Sequence, residues 1–130
     1  RQPQHLNHMK KTTIALADDY SIYREGLQVT LSADDTLDVI IEADNGKELL
    51  EKMENRLPDI VIIDYKMPEM DAWDPPRLTK HGSPAVKVLV ISMYHDQQFI
   101  NHLMDNGADA YLLKDAEPEE ILEAVNKLRS

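Results

Sequence analysis

Leu57-Pro58-Asp59-Ile60-Val61-Ile62-Ile63-Asp64-Tyr65-Lys66-Met67-Pro68-Glu69-Met70 is the stretch on which the fold of this chain turns. Ile60 to Ile63 is an unbroken β-branched run, the pattern of a strand buried on both faces in a parallel sheet. Asp64 follows at once, and Met67-Pro68 then turns the chain away. A carboxylate is thereby held at the carboxyl end of a central strand. Open α/β sheets bind their ligands at that edge. A lone aspartate there would more often cap a loop or a helix, so its meaning depends on the neighbouring strands.

Toward the N-terminus, Thr12 to Ala17 reads as a short strand ending in Asp18-Asp19. Ile22, Leu27, Val29 and Leu31 place a helix after it, to about Ala33, with Arg24 and Glu25 facing out. Leu37 to Ala43 is a second strand, broken by Asn45-Gly46. Lys47 to Asn55 is a short helix with Leu49, Leu50 and Met53 on its apolar side. The strand from Leu57 to Asp64 is third.

Toward the C-terminus, Asp74-Pro75-Pro76 falls where a helix is due. Proline inside a helix costs about 3 kcal/mol but is tolerated at the first position. A short, late helix is therefore expected, with Asp74 as N-cap and an end near His81-Gly82. Val86 to Ile91 is a fourth buried strand, ending at Ser92. Asp96 caps a helix through Asn106, which Gly107 stops. Asp109 to Leu113 is a fifth strand, ending at Lys114. The last helix opens at Glu117-Pro118-Glu119-Glu120, carries Lys127 and Arg129 in its final turn, and buries Ile121, Leu122, Val125 and Leu128. Strand and helix alternate throughout. The class is α/β, a doubly wound parallel sheet with right-handed crossovers and helices on both faces.

The bulk numbers agree with one domain. The chain has 130 residues and no cysteine, which excludes a disulfide framework and thiolate chemistry. Fourteen basic against 24 acidic residues give a formal net charge of −10, which argues against binding nucleic acid through the general field of the domain. No membrane span or signal peptide is legible, and the composition suits a cytoplasmic protein. Arg1 to His8 is polar and aperiodic, so residues 1–9 are read as a disordered tail or an added remnant, and residues 10–130 as the domain. His5 and His8 have the spacing of helical metal ligands, but a floppy tail rarely builds a site.

Four strands thus end in chemically capable side chains: Asp18-Asp19, Asp64, Ser92 and Lys114. A parallel sheet brings these ends to one edge. Three carboxylates there repel one another and call for a cation, and an all-oxygen ligand set favours Mg²⁺ over zinc. A lysine beside them can pair with an anionic oxygen, and a serine hydroxyl can donate to one. This is the composition of a phosphoryl-transfer site with a carboxylate nucleophile. Each residue alone has a bland reading, as cap, turn or surface; their coincidence at successive strand ends does not.

From about Lys10 to Leu128 the sequence resembles the receiver domain of two-component response regulators. The resemblance rests on Leu16-Ala17-Asp18-Asp19, Ile63-Asp64-Tyr65-Lys66-Met67-Pro68, Val90-Ile91-Ser92-Met93-Tyr94 and Gly107-Ala108-Asp109-Ala110-Tyr111-Leu112-Leu113-Lys114. The wording is most similar to the NarL/FixJ (LuxR-type) subfamily. It implies a flavodoxin-like (βα)5 fold with strand order 2-1-3-4-5. It also implies that Asp64 accepts a phosphoryl group from a sensor histidine kinase. Asp19, Asp64 and the Lys66 backbone carbonyl would ligate Mg²⁺, with Asp18 acting through water. Lys114 and Ser92 would bind phosphoryl oxygens, and Tyr111 would swing inward as Ser92 moves. Lys66 and Tyr94 would tune the phosphoryl lifetime by shielding it from water. Such a domain catalyses its own phosphorylation and dephosphorylation only, and binds no nucleic acid and no membrane. A phosphorylation-dependent homodimer and a C-terminal DNA-binding domain beyond Ser130, controlling transcription, are further implications.

The sequence departs from the family at three places: Ala72 stands where glycine is common, Pro75-Pro76 opens the third helix, and Asp115 rather than proline follows Lys114. A phosphatase of the haloacid-dehalogenase type is a rival reading. It needs a second aspartate two residues after its nucleophile, where this chain has Lys66 or Tyr20. A phosphorylation-independent interaction domain on the same fold is the other alternative.

Overall fold

The computed structural model describes residues 10–64 and 85–129. In chain order these hold β1 (Thr12–Ala17), α1 (Ser21–Ser32), β2 (Leu37–Ala43), α2 (Gly46–Met53), β3 (Ile60–Asp64), β4 (Lys87–Ser92), α3 (Gln97–Asp105), β5 (Ala110–Leu113) and α4 (Pro118–Arg129). The strands form one parallel sheet in the order β2-β1-β3-β4-β5, as expected. Lys66, Ala72, the helix expected after Pro75-Pro76 and the N-terminal tail lie outside the described residues.

Side-chain alternation along the strands builds two cores. Ile14, Leu16, Ile60, Ile62, Leu89 and Ile91 face α1 and α4, meeting Leu27, Leu31, Ile121 and Val125. Ala15, Ala17, Val61, Ile63, Val88 and Val90 face α2 and α3, meeting Leu49, Met53, Phe99 and Leu103. Strand β3 is the hinge between the two cores. Its four apolar residues are at most 3% exposed, which is why it reads as a continuous rather than an alternating run.

Local chemistry sets the element ends. Asn45 accepts from the Glu48 amide at 2.8 Å while the Glu48 carboxylate accepts from the Asp44 amide at 2.6 Å, a reciprocal cap for α2. Asp96 caps α3 by accepting from the Gln98 amide at 3.1 Å. Gly107 takes φ 117°, which closes α3 with an Ala108 amide to Leu103 carbonyl bond of 3.0 Å. Every described peptide bond is trans, Lys114–Asp115 included.

Two expectations need correction. The third strand begins at Ile60 rather than Leu57, which is 56% exposed. The Asp59 carboxylate accepts from the Thr13 amide at 2.9 Å and clasps β1 before the ladder proper starts. Arg24 does not face out. Its guanidinium turns in, and Nη1 donates to the Asp18 carbonyl at 2.7 Å, the Ala43 carbonyl at 3.0 Å and the Asp44 carboxylate at 2.7 Å. Conversely, Ile22 and Val29 of α1 are 68% and 71% exposed.

Candidate functional site

Parallel pairing places the ends of β1, β3, β4 and β5 at one edge. Asp18 and Asp19 follow β1, Asp64 closes β3, Ser92 closes β4, and Lys114 follows β5. One carboxylate oxygen from each of Asp18, Asp19 and Asp64 lies within 4.8 Å of the others. The Lys114 ammonium reaches Asp64 Oδ2 at 2.6 Å, with the Asp64 side chain 3% and the Lys114 side chain 18% exposed. A charge-assisted bond this short and this dry is strong.

Asp18 is part cap and part open ligand. Its Oδ1 accepts from the Tyr20 amide at 2.9 Å, which turns the chain into α1. Its Oδ2 is buried with no hydrogen-bond partner. Burial, chiefly, and the adjoining Asp64 push this carboxyl up to about 6. An orphaned buried oxygen beside two further carboxylates is the donor set of a hard divalent cation, so the residues present fit Mg²⁺. The third expected direct ligand, the Lys66 carbonyl, lies outside the described residues.

Ser92 is fully buried, and its Oγ accepts from the Tyr94 amide at 3.2 Å. The Tyr111 hydroxyl donates to the Tyr94 carbonyl. Tyr111 is half-buried, and its ring stands edge-on to Phe99 at 6.5 Å, as does that of Tyr94 at 5.8 Å. Ser92, Tyr94 and Tyr111 are thus joined by two hydrogen bonds and one shared aromatic neighbour. Burial raises the Tyr111 phenol, and Ser92 partly offsets this.

Two further residues at the site were not singled out from sequence. Arg24 ties the backbone of the acid pair to the end of β2. Tyr23 packs its ring against the Lys114 ammonium. Burial, then the charges of Asp64 and Asp18, push its phenol up to about 12. No local signal marks them, because both act on groups that folding alone brings within reach.

Comparison with known proteins gives the family. Residues 14–126 match the family model described as the response regulator receiver domain. Transcriptional regulatory protein LnrK of Bacillus subtilis is 38% identical over 117 residues, covering 90% of this chain and 53% of the relative. The probable transcriptional regulatory protein NarL of Mycobacterium tuberculosis is 33% identical over 116 residues, covering 89% of this chain and 54% of the relative. The solved signal receiver domain of the M. tuberculosis response regulator NarL superposes with a TM-score of 0.82 at 32% identity, over 91% of this chain and 95% of that one. The chain spans about half the length of the curated relatives it matches. By the family model that matches most of its length and by these relatives, the chain belongs to the receiver domains of two-component response regulators, among relatives of the NarL, DegU and NreC kind.

Proposed function

We propose that Asp64 is the phosphoacceptor of a signalling switch charged by a sensor histidine kinase. The observation that carries this reading is the contact of Lys114 with Asp64 at 2.6 Å beside the cluster of Asp18, Asp19 and Asp64. An Asp64 oxygen attacks phosphorus in line, and the phosphorus–nitrogen bond of the donor's phosphohistidine breaks as the imidazole leaves with the electron pair. Lys114 follows the new charge from the carboxylate to a phosphoryl oxygen, and the Ser92 hydroxyl donates to another. Mg²⁺, held by Asp19 and Asp64 with Asp18 acting through water, would neutralise the acids and the phosphoryl oxygens.

The output follows from the same geometry. A Ser92 hydroxyl drawn toward phosphate gives up the Tyr94 amide, and the Tyr94 carbonyl is where the Tyr111 hydroxyl is held. Movement at the acceptor is therefore passed to the aromatic cluster of Tyr94 in the β4–α3 loop, Phe99 on α3 and Tyr111 on β5. The relatives are named as transcriptional regulators, which supports control of transcription through a DNA-binding domain carried elsewhere in the protein. The test is intact mass after incubation with acetyl phosphate. A gain of one phosphoryl group that needs Mg²⁺ supports the reading. An unchanged mass would favour a phosphorylation-independent interaction domain.

Tyr94 sets how long the switch stays on. The ring is half-buried and packs edge-on against Phe99, which limits its freedom. Neither Tyr94 nor Lys66 offers a carboxylate or amide to orient an attacking water. Tyr94→Ala is expected to speed phosphate release from the phosphorylated domain roughly threefold, by admitting water to the in-line path. Release at the wild-type rate or slower would place the control of lifetime elsewhere.

A further inference from the structure

Tyr23 holds the lysine of this site at two points. It lies in the first turn of α1, half-buried. Its ring centroid is 4.6 Å from the Lys114 ammonium, and its hydroxyl donates to the Lys114 carbonyl at 3.4 Å. Tyr20 offers a second ring at 5.9 Å from the same ammonium. We propose that Tyr23 is a positioning residue that presets the Lys114 ammonium beside Asp64, so that the cation is in place before a phosphoryl group arrives. The consequence for phosphorylation rests on the function proposed above; the placement of Lys114 is a property of the resting chain.

The physical need is specific. A lysine side chain is a flexible four-carbon stem ending in a strongly hydrated point charge, and fixing it loses rotamer freedom. The Asp64 carboxylate attracts it but loses its charge once it becomes an acyl phosphate. The ammonium must then cross from the carboxylate to a phosphoryl oxygen. A ring face attracts a cation over an area, not at one point, so the ammonium can shift along it without leaving its favourable field. The hydroxyl bond to the Lys114 carbonyl fixes the root of the stem while its tip moves.

Tyr23→Phe keeps the ring and drops the hydroxyl, whereas Tyr23→Leu drops both. The first readout needs no phosphate. The ε-methylene protons of Lys114, assigned by their loss in Lys114→Arg, should lie upfield through the ring current in wild type and in Tyr23→Phe. In Tyr23→Leu they should move toward the free-lysine position. The second readout is the rate of phosphoryl uptake from acetyl phosphate at saturating Mg²⁺. Tyr23→Leu is expected to lose about tenfold and Tyr23→Phe no more than about twofold. The rise in Tm that Mg²⁺ produces should be equal in all three, because the acids are untouched. Free-lysine shifts in the wild type would overturn the proposal. So would uptake by Tyr23→Leu at the wild-type rate, or a Tyr23→Phe variant as impaired as Tyr23→Leu. A wild type that takes up no phosphoryl group would overturn the proposed function instead, and the NMR arm would still decide where Lys114 is held.

Discussion

Asp64→Asn is expected to abolish the Mg²⁺-dependent gain of one phosphoryl group outright, leaving the intact mass unchanged after prolonged exposure to acetyl phosphate. The substitution is nearly isosteric, so the strand end and its neighbours stay in place. What it removes is the nucleophile, since a neutral amide oxygen does not attack phosphorus at a useful rate. It also removes the charge that draws Lys114 to 2.6 Å. Asp18 and Asp19 are the carboxylates that could substitute. Asp18 is poorly suited, because its Oδ1 is committed to the Tyr20 amide. Asp64 is the carboxylate that the ammonium of Lys114 touches. Labelling of Asp64→Asn at the native rate would show that another carboxylate is the acceptor.

Much of this site was legible because it depends on strand ends. A β-branched run followed by Asp64, and apolar runs closing on Ser92 and Lys114, specify position through the backbone alone. The cap at Asp96 and the stop at Gly107 were legible for the same reason: each acts on backbone within a few residues of itself. What sequence did not reveal depends on acceptors that exist only after folding. Arg24 turns inward because the pairing of β1 with β2 brings the carbonyls of Asp18 and Ala43 together beneath it. Tyr23 meets Lys114 across 91 positions of sequence, a contact no periodicity encodes. The exposure of Ile22 and Val29 shows the converse, apolar residues that helical spacing alone would not separate from core.

Loading with Mg²⁺ should stabilise the domain, and the acid pair should make that effect depend on pH in a particular direction. The Asp18 carboxyl rises from an ordinary value of 3.8 to about 6 in the fold, through burial first and Asp64 second. Between those values the folded chain holds a proton that the unfolded chain has lost. Stability of the metal-free protein from this group therefore falls as pH rises through that window and stays low above it. Asp18→Asn removes the charge while its amide oxygen keeps the Tyr20 contact. It should raise the metal-free Tm at pH 7.5 by roughly 5–10 °C, and the advantage should shrink toward pH 4.5. Mg²⁺ well above its Kd should recover a comparable amount in the wild type, about 2.7 kcal/mol at a hundredfold excess over Kd. Asp19→Ala should erase that gain, because it removes one of the three carboxylates that would hold the ion. The check is a set of thermal melts of the three proteins with and without Mg²⁺ across that pH range. A full Mg²⁺ response in Asp19→Ala would remove Asp19 from the ligand set. An Asp18→Asn advantage that is the same at both pH values would mean that the Asp18 carboxylate is not the destabilised charge in this fold.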